Sequence, residues 1–333
     1  MIRIAISGCG AVTQLYYRPA LQALCDGGEA MLAGALDPDR TAAKRLCDAF
    51  PDARPVGSLD NLLALDIDLL VVASPPARHA EQACAAAAAG IAVLCEKPMA
   101  LTVADAERMV AAAKSSSAPF AVAMVRRFLS QPRTIREMIA GEALGKLQRI
   151  DIFEGGRFDW PIASPAYFDP KRGGGGVLED VGVHVLDLLR WWLGEPDTVR
   201  FADDALGGVA ANCAIHLGFG PTEVAVRLSR DWYRPNAYRF TGERGWLEWA
   251  IHERDELEQG SAGETVGAIV PERDGQCAAG GYEQAIAAQL RAMTDAIRGK
   301  AGGGLVSAED GLQTIRLLDQ CRQSRVPMAM EWL

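Results

Sequence analysis

Two groups of residues in this sequence have the types and spacing for acid–base chemistry. Glu96-Lys97-Pro98 places an acid and an amine directly after a short apolar run, and a second group contains Asp180, His184 and Asp187. On an α-helix, this second group would share one face at positions i, i+4 and i+7. An imidazole among carboxylates has the ingredients of a tuned general base. A lysine at a buried strand end is costly unless it has a use.

Each group also has a structural alternative. Most lysines keep their charged end in water at the protein surface, and a lone histidine in a helix is more often structural than catalytic. Asp180, His184 and Asp187 could also bind a metal ion. We rank this second to catalysis, because the chain has only four histidines and shows no other cluster of ligands. No metal is therefore predicted.

A glycine turn follows the first apolar run and opens a stretch compatible with a helix. The turn reads Gly8-Cys9-Gly10-Ala11-Val12-Thr13. A strand, a tight glycine turn and a helix N-terminus together direct backbone N–H groups at a pyrophosphate. Thr13 stands where the usual fingerprint has a third glycine, which serves the packing of helix on strand. The turn predicts dinucleotide binding by Gly8, Gly10, Ala11 and Val12.

Asp37 ends the second apolar run, where an acid can accept a hydrogen bond from the adenine ribose 2′-hydroxyl. Its charge would repel a 2′-phosphate, so we predict NAD as the cofactor. Arg40 is a nearby cation that could instead attract a 2′-phosphate, which leaves NADP open. Asp37 could also simply begin the turn Asp37-Pro38-Asp39.

Further candidates follow later apolar runs. Ser74-Pro75-Pro76 closes the run 69–73, at the carboxyl edge where ligands bind in such sheets. Pro98 fixes the next turn and is a candidate for a cis peptide bond. His79, at the next helix start, either contacts nicotinamide or has a capping or surface role. The residues predicted to contact the cofactor here are Ser74, Pro75, His79, Glu96 and Lys97.

The first third of the chain alternates short apolar runs with stretches compatible with helices, such as 77–89 and 103–114. Continuous apolar strands separated by helices predict a parallel sheet covered on both faces. We place a domain boundary near residue 122, so that residues 1–122 form a dinucleotide-binding domain and 123–333 a second domain. The predicted strands are 2–6, 31–36, 69–73, 91–95 and 120–125.

The rest of the chain shows strand-like runs, several with period-two alternation. Such runs, joined by short turns, predict a largely antiparallel sheet. Residues 259–281 are polar and glycine-rich, so we predict a loop. Ser307 with Asp310 is a variant capping box for the last helix. The predicted strands are 147–158, 198–203, 209–219, 222–232, 237–241 and 246–251, and the predicted helices are 132–140, 181–192, 282–298 and 308–321.

Composition restricts the class of protein. The 333 residues are enough for two domains, and a net charge of −9 argues against a nucleic-acid partner. The eight cysteines form no CxxC pair, so we expect them to be reduced thiols. No signal peptide or membrane-spanning run is evident, so we expect a cytoplasmic protein.

The motifs together resemble the Gfo/Idh/MocA family of glucose–fructose oxidoreductase, inositol dehydrogenase and rhizopine catabolism proteins. Their spacing and order agree over nearly the whole chain. The Glu-Lys-Pro and Asp-x-Gly-x-His motifs are far more specific together than either alone. The matching pieces are the Gly8/Gly10 turn, Ser74-Pro75-Pro76 with His79, Gly90, Cys95-Glu96-Lys97-Pro98, Gly174-Gly175-Gly176, Asp180-Val181-Gly182-Val183-His184 with Asp187, and Arg127-Phe128.

The resemblance implies a Rossmann domain followed by an α/β domain with an open, mainly antiparallel sheet. It also implies an NAD(P)-dependent dehydrogenase acting on CH–OH groups of a sugar or polyol. By this resemblance Lys97 orients the substrate hydroxyl, while Asp180 and His184 bind and deprotonate it. Arg127 would lie near the substrate. The alternatives are a cofactor-sensing regulator without turnover and a reductase of another substrate type.

The resemblance further implies homodimers or homotetramers packed through the sheets of the second domain. An argument from the residues points the same way. The alternating strands within 209–251 offer an apolar face that one short set of helices cannot wholly cover, and such faces usually mark an interface. The expected partners are thus a small sugar or polyol and further copies of the chain, without nucleic acid or membrane.

Overall fold

A computed structural model gives the fold of this chain. It describes residues 1–162, 165–173, 176–231, 235–251, 255–261, 264–271 and 281–328. Of the residues named above, Gly174 and Gly175 lie outside the described residues, as do Trp232 and much of the loop predicted at 259–281.

The strands of the described residues are, in chain order, β1 (Ile2–Ser7), β2 (Ala30–Leu36), β3 (Arg54–Val56), β4 (Leu69–Val72), β5 (Ala92–Cys95), β6 (Phe120–Val122), β7 (Leu147–Gly155), β8 (Thr198–Asp203), β9 (Asn212–Phe219), β10 (Thr222–Ser229), β11 (Ala237–Gly242), β12 (Gly245–Trp249), β13 (Leu257–Ser261), β14 (Glu264–Ile269), β15 (Val306–Ser307) and β16 (Arg325–Pro327).

The α-helices are α1 (Arg18–Asp26), α2 (Arg40–Cys47), α3 (Leu59–Leu63), α4 (His79–Ala88), α5 (Val103–Ser115), α6 (Ser130–Ala140), α7 (Pro170–Gly173), α8 (Val183–Leu193), α9 (Tyr282–Ile297) and α10 (Ala308–Gln323). Two short π-helical turns, Thr13–Tyr17 and Leu178–Gly182, precede α1 and α8. As predicted, the Ser307 hydroxyl caps α10 by accepting a hydrogen bond from the Asp310 N–H. None of the helices that the structure describes is both long and apolar enough to cross a membrane.

The chain divides into two compact units, and each is assembled from separate segments. Unit 1 comprises Met1–Phe128, Pro161–Gly174 and Gly275–Ile315, and unit 2 comprises Leu129–Trp160, Gly175–Asp274 and Arg316–Leu333. The first segment of unit 1 ends close to the boundary expected near residue 122. Residues 275–315, which we expected in the second domain, instead join unit 1, because α9 packs on α1 and β15 pairs with β6.

Unit 1 contains a seven-stranded sheet in the order β15-β6-β5-β4-β1-β2-β3. Its strands are parallel except for β15 at one edge. Every residue of β4 and β5 is buried, as expected for strands covered on both faces. This is the predicted doubly wound Rossmann sheet. The order in which successive strands are added reverses between β1 and β4, and ligands bind at this switch point in such folds.

Unit 2 contains a nine-stranded sheet in the order β14-β13-β12-β11-β7-β10-β9-β8-β16. The β7–β10 and β8–β16 pairs are parallel and the other pairs are antiparallel. The predicted open, mainly antiparallel sheet is therefore confirmed.

The free apolar face expected on this sheet is not present among the described residues. In β10, Val224, Val226 and Leu228 are at most 2% exposed, so the apolar side of the strand is already covered. The alternate residues Glu223 and Arg227 are exposed. The other side of the sheet mixes charged residues with small ones such as Ala214, Gly218 and Ala225. It is therefore not the large apolar face on which the argument for self-association relied.

The loop predicted at residues 259–281 was also wrong in part, because it overlaps β13 and includes β14. These strands form an antiparallel pair at the end of the sheet. Their polar, glycine-containing sequence hides the strand pattern. Gly260 is required by packing, since a Cβ there would overlap the Glu264 carbonyl and lie 2.6 Å from the Trp246 ring.

Candidate functional site

The predicted cofactor residues of unit 1 lie along one edge of its sheet. Adjacent strands pair so that Ser7 is opposite Val72, and Val72 is opposite Cys95. The turns that follow these residues begin with Gly8, Ala73 and Glu96 respectively. Because parallel strands end at the same edge, the glycine turn, the Ser74 turn and the Lys97 turn are neighbours there.

The glycine turn lies against the end of β4. Gly8 has φ +101°, a conformation that favours glycine, and a Cβ at this position would overlap the backbone of Ala73 and Ser74. The backbone N–H of Gly8 donates to the Leu36 carbonyl over 2.8 Å. The turn approaches the end of β4 so closely that only glycine fits at position 8.

Asp37 completes the turn from the end of β2. Its two carboxylate oxygens accept hydrogen bonds of 2.7 Å from the Cys9 N–H and 2.8 Å from the Asp39 N–H. Each oxygen has a further lone pair available for a ligand hydroxyl. The turn-starting role and the cofactor role considered for Asp37 are thus compatible. The Arg40 guanidinium is directed toward Gly57, with Nη2 3.5 Å from the position of a Cβ there.

Thr13, the departure from the glycine fingerprint, is fully buried and has a specific partner. Its hydroxyl donates a hydrogen bond of 2.6 Å to the Gly8 carbonyl. Thr13 also begins a π-helical turn, in which the Arg18 N–H donates to the Thr13 carbonyl five residues earlier. π-Helical turns are rare and occur frequently at functional sites. The threonine therefore ties the helix start to the glycine turn where a third glycine is usual.

His79 is only 1% exposed and connects two turns of this edge. Its Nε2 lies 2.7 Å from the Ser74 carbonyl oxygen, and its Nδ1 lies 3.0 Å from the Pro98 carbonyl oxygen. Burial lowers the pKa of His79 to about 4, although the carbonyls favour the protonated ring. Both ring nitrogens face backbone carbonyls, so the histidine supports the turns. The surface role considered for His79 was therefore wrong, since the ring is buried, and its contact with nicotinamide stays a prediction.

Glu96 is buried and its carboxylate has two protein partners. Oε1 accepts a hydrogen bond of 2.8 Å from the Tyr17 hydroxyl, and Oε2 accepts one of 3.1 Å from the Lys97 N–H. Burial raises the pKa of Glu96, while the charge of Lys97 and the hydrogen bond from Tyr17 act against this rise. The next peptide bond, Lys97–Pro98, is cis. The Lys97 side chain itself is partly exposed, unlike the residues on either side of it.

Two buried arginines follow β6 in a turn of 3₁₀-helix. Arg126 donates a hydrogen bond of 2.6 Å from Nε to the Tyr282 hydroxyl on α9. Arg127 is 6% exposed, and its Nη1 lies 3.7 Å from Asp310 Oδ2. Arg127, predicted near the substrate, is therefore placed in unit 1 with an acidic neighbour.

In unit 2, the Asp-x-Gly-x-His motif begins in a π-helical turn rather than in the regular helix we predicted. The Val183 N–H donates to the Leu178 carbonyl five residues earlier, and α8 begins at Val183. The i, i+4 spacing of Asp180 and His184 therefore spans the end of a π-helical turn and the start of α8. Gly182 lies against the sheet, since a Cβ there would be 3.2 Å from Leu228 Cδ1.

His184 and Asp187, by contrast, are both in α8 and both buried, at 6% and 1% exposure. The side chain of Asp180 is 32% exposed and forms an ion pair with Arg230, with Oδ2 2.8 Å from Nη2. Within the described residues, no three His, Cys, Asp or Glu side chains are gathered so that they could hold a metal ion.

Sequence reasoning did not identify Tyr17 or Arg230. Tyr17 is separated from Glu96 by 79 positions, and Arg230 from Asp180 by 50. Such contacts depend on tertiary structure and leave no local pattern. The one available signal was that a buried carboxylate requires a hydrogen-bond or charge partner somewhere in the chain.

Comparison with known proteins matches both parts of the chain to one family. Residues 2–124 match the GFO_IDH_MocA model, described as an oxidoreductase family with an NAD-binding Rossmann fold, and residues 133–248 match the GFO/IDH/MocA C-terminal domain. The rhizopine catabolism protein MocA of Rhizobium meliloti is 29% identical over 202 residues, which are 60% of either chain. This chain therefore covers less than two thirds of that relative.

Two further comparisons extend over most of the chain. The myo-inositol dehydrogenase Hyg17 of Streptomyces leeuwenhoekii is 26% identical over 313 residues, covering 90% of this chain and 89% of the relative. The structure of KijD10, a 3-ketoreductase from Actinomadura kijaniata in complex with NADP and TDP-benzene, has a TM-score of 0.81 at 21% identity and 98% coverage of both chains. This structural likeness concerns the fold.

Proposed function

The chain belongs to the GFO/IDH/MocA oxidoreductase family with its NAD-binding Rossmann domain, and on this premise we propose that it is an NAD(P)-dependent oxidoreductase acting on a secondary alcohol or ketone. The observation that carries the proposal is the shared sheet edge of unit 1. There the Gly8 turn, the Asp37 carboxylate and the Lys97 turn are neighbours. The same edge thus carries a turn that can bind a dinucleotide and, next to it, the Lys97 amine, which can donate a hydrogen bond to a substrate oxygen.

The geometry of the turn fits an adenine dinucleotide. A Cβ at Gly8 would overlap the neighbouring backbone, so the turn stays narrow, and Asp37 holds the Cys9 N–H while keeping lone pairs for a ribose hydroxyl. We propose that Gly8, Gly10, Ala11 and Val12 bind the pyrophosphate. Ser74, Pro75, Glu96 and Lys97 are proposed cofactor neighbours at the same edge, with His79 supporting their turns.

The proposed chemistry is a hydride transfer coupled to a proton transfer. A bound nicotinamide would supply the hydride acceptor or donor. In this proposal His184 is the general base that accepts a hydroxyl proton. Lys97 is a hydrogen-bond donor that stabilises negative charge developing on a substrate oxygen. Asp180 binds the substrate or orients the imidazole, and Arg127 is a further proposed substrate contact.

The substrate class we propose is a sugar, a polyol or a derivative of one. Support comes from the relatives, since Hyg17 is named a myo-inositol dehydrogenase and MocA a rhizopine catabolism protein. Incubation of the protein with NAD⁺ and a panel of polyols and sugars, followed by NADH absorbance, tests the class. NADH formation with a polyol or sugar is expected, and absence of turnover across the panel in both directions would contradict the proposal.

The assignment of catalytic residues has its own test. His184→Ala should lower kcat by roughly 10²–10⁴-fold, the usual effect of a general base, and Lys97→Met should also slow hydride transfer because the alkoxide loses its donor. Both variants should still bind NAD(H). His216→Ala, at an exposed histidine of β9, and Lys44→Met, at a largely exposed lysine, are matched controls. Near-normal kcat in His184→Ala and Lys97→Met would refute the assignment.

We further propose that the protein forms homodimers or homotetramers, as its family resemblance implies. The exposed side of the unit 2 sheet is charged, with Arg149 paired to Asp151 over 2.6 Å and with Glu223 nearby. An interface on this side would therefore rely on polar contacts. Light scattering at micromolar concentration should show a dimer or larger species, and a stable monomer would refute self-association.

A further inference from the structure

A buried tyrosine reaches the turn that carries Lys97. The Tyr17 side chain has no exposed surface, and its hydroxyl donates a hydrogen bond of 2.8 Å to Glu96 Oε1. The other oxygen, Oε2, accepts a bond of 3.1 Å from the backbone N–H of Lys97. One carboxylate thus connects the tyrosine to the backbone of the proposed catalytic lysine.

The π-helical turn explains why Tyr17 faces this carboxylate. Tyr17 is the last residue of the turn, which is closed by the hydrogen bond from the Arg18 N–H to the Thr13 carbonyl. A π-helical turn contains more residues than an α-helical one, so it changes which side chain points to the sheet edge. The preceding residue, Tyr16, has a different neighbour, with its ring centroid 6.2 Å from that of Tyr282.

The electrostatics of Glu96 depend on the same contact. Its carboxyl group is buried, and burial raises its pKa. The charge of Lys97 lowers this pKa, and so does the hydrogen bond from Tyr17. Cys95 is a further titratable neighbour, and burial keeps its thiol protonated by raising its pKa. Loss of the Tyr17 hydroxyl would therefore favour the neutral form of Glu96.

We propose that Tyr17 is a positioning residue for the reaction. Together with Glu96, it fixes the backbone of Lys97 so that the lysine is held ready for the reacting oxygen. Tyr17 acts through Glu96, since its ring is buried in unit 1. The inference rests on the function proposed above, in which Lys97 contacts the substrate. Tyr17 itself lies outside the family motifs found in this sequence.

Tyr17→Phe removes one oxygen atom and tests the inference, with Tyr16→Phe as the matched control one position earlier. We expect Tyr17→Phe to lower kcat about tenfold, because the Glu96 carboxylate then loses its side-chain hydrogen-bond donor and holds the Lys97 turn less firmly. The Kd of NAD(H) should stay near the wild-type value. Apart from the contribution of the general base, the part of the acid limb of the kcat–pH profile that depends on Glu96 should move to higher pH, because Glu96 then loses its proton less readily. Tyr16→Phe should change none of these quantities.

Glu96→Gln keeps the size of the side chain and tests the same link from the other side. It should lower kcat at least as much as Tyr17→Phe, and the double variant should lose little more than Glu96→Gln alone, because both act through one contact. Additive losses in the double variant, or a normal kcat and pH profile in Tyr17→Phe, would overturn the inference.

A readout without turnover separates this inference from the proposed function. Infrared difference spectra between low and high pH report the protonation of buried carboxyl groups, and the band absent in Glu96→Gln belongs to Glu96. In Tyr17→Phe this band should titrate at higher pH than in wild type. An unchanged titration contradicts the inference even in an active enzyme. A shifted titration in a protein that oxidises no alcohol supports the Tyr17–Glu96 link and contradicts the proposed function.

Discussion

Asp180 and Arg230 form an ion pair in which the carboxylate Oδ2 lies 2.8 Å from the guanidinium Nη2. The arginine side chain is 9% exposed, and its Cζ lies 5.2 Å from the centre of the Phe158 ring. Arg230 directly follows β10, whereas Asp180 lies in the π-helical turn before α8. The pair therefore fixes the orientation of a proposed substrate-binding carboxylate relative to the sheet.

Replacement of Arg230 should impair catalysis. We expect Arg230→Gln to lower kcat/KM about tenfold or more, because Asp180 loses a charge-assisted hydrogen bond. Arg230→Lys should recover only part of the loss, since an ammonium cannot reproduce the planar guanidinium. Steady-state kinetics measure both effects. Arg227→Gln, at an exposed position of β10, is the control, and equal kcat/KM in Arg230→Gln and Arg227→Gln would refute the role of Arg230.

Gly8 and Gly28 allow a comparison of backbone strain with close contact. Both have positive φ. A Cβ added at Gly8 would overlap neighbouring backbone, whereas a Cβ added at Gly28 would have no neighbouring atom within 4 Å. Gly28→Ala should cost about 1–2 kcal/mol from the left-handed conformation alone. Gly8→Ala should cost more and also weaken NAD(H) binding. Chemical denaturation and calorimetry test this, and similar losses of stability with unchanged NAD(H) affinity would contradict it.

His79 should make the protein less stable in mild acid. Burial lowers its pKa from 6.5 to about 4 in the folded protein, so between these values the unfolded chain binds more protons. The free energy of unfolding therefore loses up to about 1.4 kcal/mol per pH unit from this group as pH falls from 6.5 toward 4. Above pH 6.5 His79 is neutral in both the folded and the unfolded chain, so none of this free energy of unfolding is lost.

The contribution of His79 can be isolated by replacement. His79→Gln should be less stable near neutral pH, and its free energy of unfolding should depend less steeply on pH between 4 and 6.5 than in wild type. His216→Gln, at an exposed histidine, should retain the wild-type dependence. Denaturant titrations across this pH range supply the measurement. A wild-type slope in His79→Gln would show that the buried imidazole does not cause the acid sensitivity.

NAD(H) should bind more tightly than NADP(H). The Asp37 carboxylate, held by the N–H groups of Cys9 and Asp39, would repel a 2′-phosphate at the end of β2. Asp37→Asn should shift the ratio of the two Kd values toward NADP(H) by about tenfold, equivalent to about 1.4 kcal/mol. Arg40→Gln is the companion variant and should shift the ratio the other way. Tighter calorimetric binding of NADP(H) by wild type would overturn the preference and point to Arg40.

The sequence alone predicted the strands and turns that line the proposed cofactor edge, because buried parallel strands are continuous apolar runs. It did not predict β3, which is short, contains Pro55 and is largely exposed. The π-helical turns were also not foreseen, since their spacing resembles that of an α-helix. The Tyr17–Glu96 and Asp180–Arg230 contacts lay beyond local patterns, because each joins residues that only the folded chain brings together.

The segmented construction of unit 1 has a consequence for biosynthesis. Its edge strand β15 and the helix α9 that packs on α1 come from residues 275–315, which follow the whole of the segment Gly175–Asp274 of unit 2. A nascent chain that has emerged only to Phe128 has β6 without its antiparallel neighbour and α1 without its covering helix. The unit is therefore completed only after α9 and β15 have been synthesised, so a product truncated at Phe128 would carry the glycine turn without a finished scaffold to hold a nucleotide.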